Sequence, residues 1–129
     1  MANWIDIRET DWEPSAIGTG ETAELFAVAA GELVLFALIR MNRAAGAGTN
    51  SDIEIGDGTD PDGYFATAAY DPEAATMHES LAARGAFMQG GRYYTEADTI
   101  DLVYAPDTTP GPVKPLVHVL IGVHSADWV

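Results

Sequence analysis

The residues best placed for chemistry in this sequence are carboxylates crowded into one glycine-rich turn. Asp57, Asp60 and Asp62 fall within Asp57-Gly58-Thr59-Asp60-Pro61-Asp62-Gly63, with Asp52 and Glu54 just before. Hard oxygen ligands at this density could hold calcium. The EF-hand register fails, however. With Asp60, Asp62 and Gly63 at loop positions three, five and six, Gly58 takes position one and Ala69 stands where a bidentate Glu belongs. Asp-Gly and Asp-Pro pairs are ordinary turn formers. The segment is expected to be a turn, and no metal ligand is assigned to it.

Three histidines, His78, His118 and His124, are the minimum for a metal triad. On one unbroken strand His118 and His124 would share a face but stand about 20 Å apart, too far to ligate one ion. His118 is therefore expected on the wet face of a strand or at a subunit contact. None of Ser15, Ser51, Ser80 and Ser125 lies in a Gly-x-Ser-x-Gly elbow, and Ser125 and His124, adjacent on a strand, would point to opposite faces. Gly56-Asp57-Gly58 and Gly46-Ala47-Gly48 do not continue as Gly-x-Gly-x-x-Gly, and no Walker lysine follows. A two-carboxylate glycosidase is compatible with any chain this acidic, so carboxylate number gives it no specific support. No catalytic residue and no cofactor site is assigned, and the expectation is a protein that is not an enzyme.

Charge narrows the partners further. Twenty Asp and Glu stand against six Lys and Arg in 129 residues, a formal charge of -14. Such a field repels a phosphate backbone, so nucleic acid is excluded as an expected partner. It favours solubility, or a basic patch on a partner. With no cysteine there is neither a disulfide framework nor a thiolate ligand. Met1-Ala2-Asn3-Trp4 lacks the basic start and apolar run of a secretory signal, and the apolar stretch 33–39 is too short to span a bilayer. A protein made and used in soluble form, without a membrane partner, is expected.

The elements that would position these residues are mostly strands. Residues 3–8 read as a short strand in a segment, 1–15, that interleaves Trp4, Ile5, Ile7 and Trp12 with charged residues and closes at Pro14. That segment is either a strand docked on its own core or an arm laying Trp4, Ile5, Ile7 and Trp12 on a neighbouring subunit. A single sandwich domain is expected over 16–129. Strands are read near 23–29 and 32–42, the second buried on both faces, with a turn near Ala30-Gly31. A helix over this Ala- and Leu-rich region is the competing reading. Residues 43–50 read as a loop, and 51–56 alternates as a half-buried strand. The weakly patterned middle allows a helical turn or two over 77–84 and a short strand at 85–88. Residues 92–95, 99–104 and 113–123 are β-branched and aromatic, and the proline-rich run 106–115 forces an extended connection. Seven or eight strands with turn signals between them indicate an all-β, antiparallel sandwich, jelly-roll-like, with an N-terminal arm.

From about Gly31 to His124 the order of features resembles a group of small bacteriophage virion proteins. The shared features are the apolar strand pair, then Ile55-Gly56-Asp57-Gly58-Thr59-Asp60-Pro61-Asp62-Gly63-Tyr64. After a variable middle come Gly90-Gly91-Arg92-Tyr93-Tyr94-Thr95-Glu96-Ala97-Asp98-Thr99-Ile100-Asp101 and a terminal apolar strand. The resemblance implies a β-sandwich or jelly roll that decorates or cements a capsid, commonly as a homotrimer bridging subunits of the major capsid protein. It places the protein on the capsid surface of a virion assembled in the host cytoplasm, and brings no catalytic residues with it. The alternatives are a phage tail, spike or fibre module, or a carbohydrate-binding sandwich that stacks sugars on Trp4, Trp12, Tyr64, Tyr93 and Tyr94.

Overall fold

Where β-branched and aromatic residues recur every second position, one face of a strand can be apolar and the other wet. The computed structural model describes residues 5–43, 52–66, 85–106 and 113–125, and seven strands lie within them. They are β1 (Asp6–Trp12), β2 (Glu21–Val28), β3 (Leu33–Arg43), β4 (Asp52–Gly56), β5 (Arg92–Tyr93), β6 (Asp98–Ala105) and β7 (Leu116–His124). One sheet has the order β1-β7-β3-β5 and the other β2-β6-β4, and every pairing is antiparallel. The all-β antiparallel sandwich read from the sequence is the observed fold.

The core is built where the two sheets face each other. Val34, Ala37, Ile39, Val117, Val119, Ile121 and Val123 fill it from one side, and Phe26, Val28, Ile53, Ile55, Ile100 and Leu102 from the other. Trp12 and Tyr104 close one end edge to face, their ring centroids 5.5 Å apart. Arg8 bridges the sheets at another point. Its guanidinium donates to the Ala27 carbonyl over 3.1 Å and pairs with Glu32, whose carboxylate also accepts the Ala29 N–H at 2.6 Å. Burial opposes ionisation of Glu32, but Arg8 and the Ala29 amide outweigh it and hold the carboxyl below its ordinary range. Gly31 turns the chain between β2 and β3 with φ of 89°, a left-handed conformation that suits glycine.

Three expectations change. The first strand runs over Asp6–Trp12 rather than 3–8, because pairing with β7 sets its limits. Residues 85–88 contribute to a 3-10 helix, Ala86–Gln89, rather than a strand. That helix seats the Phe87 ring on Tyr64 and Arg92. β3 is not buried on both faces: Val34, Ala37 and Ile39 point into the core, while Leu38 is 39% exposed. The helical turns read over 77–84 lie outside the described residues.

Candidate functional site

The aspartate turn is held by a buried junction. The Asp57 side chain is fully buried, and its Oδ1 accepts the N–H groups of Thr59 and Asp60 at 2.9 and 3.0 Å. Arg92 donates from Nε to Oδ2 at 3.2 Å. The Arg92 guanidinium also lies over the rings of Phe87 and Tyr94, 4.5 and 5.4 Å from their centroids. Behind it the hydroxyls of Tyr64 and Tyr94 meet at 2.8 Å. Burial raises both phenols well above their ordinary range, so they serve as neutral hydrogen-bonding groups. Both Asp57 oxygens are thus committed to shaping the turn.

The other acids around the turn remain outside this junction. The Glu54 carboxyl is raised by burial first and then by Asp62, Asp52 and Asp60. That of Asp60 is raised chiefly by its hydrogen bond with Asp62. Among the described residues, no group of three or more His, Cys, Asp or Glu is placed to hold a metal ion. A polar cleft of about 230 Å³ lies beside the junction, lined by Thr59 and residues 92–98.

The two outward faces of the sandwich differ in chemistry. Register pairs place Glu24 opposite Asp101 and Glu54 opposite Val103 on the outside of β2-β6-β4, with Asp52 on the same face. The strands of this sheet contain no Lys or Arg. On the outside of the other sheet, register stacks Ile7, Gly122 and Phe36 in one row and Glu9, Leu120 and Leu38 in the next. Asp11, His118 and Arg40 form the third row. The first of these rows is close-packed: a Cβ on Gly122 would lie 2.4 Å from the Phe36 ring. Leu33 pairs with Tyr93 at the far edge. Ile7, Leu38 and Tyr93 are 52, 39 and 58% exposed. In the third row His118 sits between two carboxylates, with Nδ1 2.7 Å from Asp11 and Nε2 3.2 Å from Glu9.

The four residues singled out in the N-terminal segment are separated by this geometry. Ile5 and Ile7 are exposed, Ile7 on the apolar rows, whereas Trp12 is turned into the core against Tyr104. Trp4 lies outside the described residues. A reading that buried both faces of β3 missed Leu38 as an exposed residue, with Phe36 and Leu120 half-buried beside it; Tyr93 was already named as a stacking candidate. The signal was present, because an uninterrupted apolar run marks a strand covered on both sides. Here the second sheet covers only one side.

No protein-family model and no curated protein sequence matches this chain. Its fold is similar to that of a chain in the cyanophage Pam1 capsid asymmetric unit, with a TM-score of 0.67 and 12% identity over 93% of this chain and 84% of that one. It is similar also to a chain in the acidic stable capsid structure of Helicobacter pylori bacteriophage KHP30. There the TM-score is 0.61 and the identity 13%, over 95% of this chain and 90% of that one. At these identities the likeness is one of fold.

Proposed function

We propose that this chain is a non-enzymatic structural protein of a bacteriophage virion, decorating or cementing the capsid surface as a homotrimer that bridges neighbouring coat subunits. The observation that carries the proposal is the likeness of nearly the whole chain to nearly whole chains in two phage capsid structures. A stable sandwich with a buried junction and an apolar outer face supports it, since a coat accessory needs contact surface rather than chemistry. Its partners are further copies of itself and the major capsid protein, joined after synthesis in the host cytoplasm. The net charge of -14 disfavours the packaged nucleic acid as a partner.

The carbohydrate-binding alternative loses most of its stacking platform. Trp12, Tyr64 and Tyr94 are buried, and of the described aromatic candidates Tyr93 alone is exposed. Co-sedimentation of the purified chain with particles lacking it tests the capsid role. Saturable binding to heads, in fixed ratio to the coat protein, is expected. Binding to isolated tails and not to heads would instead favour the tail, spike or fibre reading.

A further inference from the structure

The outer face of β1-β7-β3-β5 is apolar where most of this chain's surface chemistry is acidic. Its central strands explain why. β3 opens with Leu33-Val34-Leu35-Phe36-Ala37-Leu38-Ile39, and β7 sets Leu116, Leu120 and Gly122, with His118 and His124, opposite its core residues Val117, Val119, Ile121 and Val123. Both strands therefore present apolar side chains to two sides, as strands of a doubly covered sheet do. The inner side meets the second sheet. On the outer side, Tyr93, Ile7 and Leu38 are left exposed in three successive register rows, with Leu33, Phe36 and Leu120 among the residues between them. An exposed apolar patch bounded by polar residues is the usual form of an association surface.

Charge decides what occupies it. A basic partner would be drawn to the opposite sheet, whose strands carry six Asp or Glu and no Lys or Arg. The apolar face is nearly balanced: Glu9, Asp11 and Glu13 stand with Arg40 and Arg43, and Arg43 is paired with Glu13. Two bodies of charge -14 repel at long range, so like copies need a contact region where acids are offset. This face provides one, with an apolar centre and a mixed-charge band at its border. We propose that the outer face of β1-β7-β3-β5 is the surface through which copies of this chain associate. The proposal names the self-contact of the trimer put forward above, and rests on that reading only for the number of copies.

The test is light scattering coupled to size exclusion on the full chain, with Leu38→Asp, Ile7→Lys and a control, Ile17→Asp. Ile17 is exposed in the loop between β1 and β2, outside this face. Wild type and the control should elute at a multiple of the 13.7 kDa chain mass, about threefold for a closed trimer. Leu38→Asp and Ile7→Lys should elute as monomers with an unchanged circular dichroism spectrum. Two replacements on different strands guard against one of them simply failing to fold. A multimer that survives both replacements overturns the proposal. So does a wild-type monomer at high micromolar concentration. If that monomer binds particles and Leu38→Asp does not, the face belongs to the coat protein. If Leu38→Asp lowers the melting temperature of a monomeric wild type, another part of the chain covers the face. Because this measurement uses no particles, a virion protein that is monomeric and a multimer absent from virions are told apart.

Discussion

Arg92 donates from Nε to the buried Oδ2 of Asp57 over 3.2 Å, and this contact ties edge strand β5 to the turn that follows β4. The two turn-rich strings that carry the sequence resemblance are thereby packed against each other. Each contributes a tyrosine to the hydroxyl pair behind the contact. Asp57, Arg92, Tyr64 and Tyr94, among the most conspicuous residues of those strings, are engaged with one another there.

Removing one partner of a buried ion pair leaves the other charge without compensation. Arg92→Ala should cost about 3 kcal/mol, at the low end for buried pairs because the Arg92 side chain is 30% exposed. For a domain near this size that is a fall of about 10 °C in melting temperature. Arg92→Lys should recover only part of the loss, since a lysine cannot reproduce the planar stacking on Phe87 and Tyr94. A thermal melt of both variants decides. A change within about 1 °C for Arg92→Ala would mean that the junction does not stabilise the fold.

Calcium should do little. Asp57 has both oxygens committed within the protein, so the turn needs no ion to form. Millimolar calcium is expected to leave the melting temperature within about 1 °C. A cation present at a hundred times its dissociation constant would add about 2.7 kcal/mol, several degrees here. A rise of that size, lost in Asp60→Ala, would show that the remaining acids bind the ion.

Stability should peak in mild acid. The Glu54 carboxyl is raised in the folded state, so ionising it opposes folding. Stability therefore rises as pH falls through its folded value, and that gain is complete below the ordinary value of 4.5. Glu32 has the opposite sign. Its lowered carboxyl contributes fully above 4.5, and that contribution is lost as pH falls through the folded value. Melting temperature against pH should show Glu54→Gln flattening the rise on the neutral side, an effect under about 1 kcal/mol. Glu32→Gln should weaken the fall on the acid side. Identical curves for wild type and both variants would contradict the assignment.

Glu24 and Asp101 face each other as a like-charged cross-strand pair on the acidic sheet. Glu24→Lys should stabilise the isolated domain by about 0.5 kcal/mol. The gain should shrink in part as salt is added, because Glu24 is exposed to screening while Asp101 is half-buried with its Oδ1 enclosed. Urea unfolding at low and high ionic strength measures it. Destabilisation at low salt would mean that Glu24 is engaged elsewhere.

Much of this fold was legible because its signals were local. Alternation of Ile53 and Ile55 with acids marked β4, and the β-branched runs after Thr99 and after Val113 marked β6 and β7. Gly31 marked the β2–β3 turn. Long-range facts were not legible. Nothing near Asp57 announces Arg92, thirty-five residues on, and nothing near Trp12 announces Tyr104. The charged neighbours of Trp12 left two readings open, a strand docked on its own core or an arm on a neighbouring subunit, and strand alternation turns this residue inward. The apolar run of β3 was seen, but a pattern within one chain says that a face is apolar without saying which molecule covers it.

The capsid role proposed above requires this protein to be a stoichiometric component of the particle. Quantitative mass spectrometry of purified particles from the source, with copy number referred to the major coat protein, tests it most directly. This chain is expected in fixed, lattice-scale proportion to the coat, a whole or simple fractional ratio, retained through gradient purification. Its absence from purified virions, or its presence at only a few copies per particle, would contradict it.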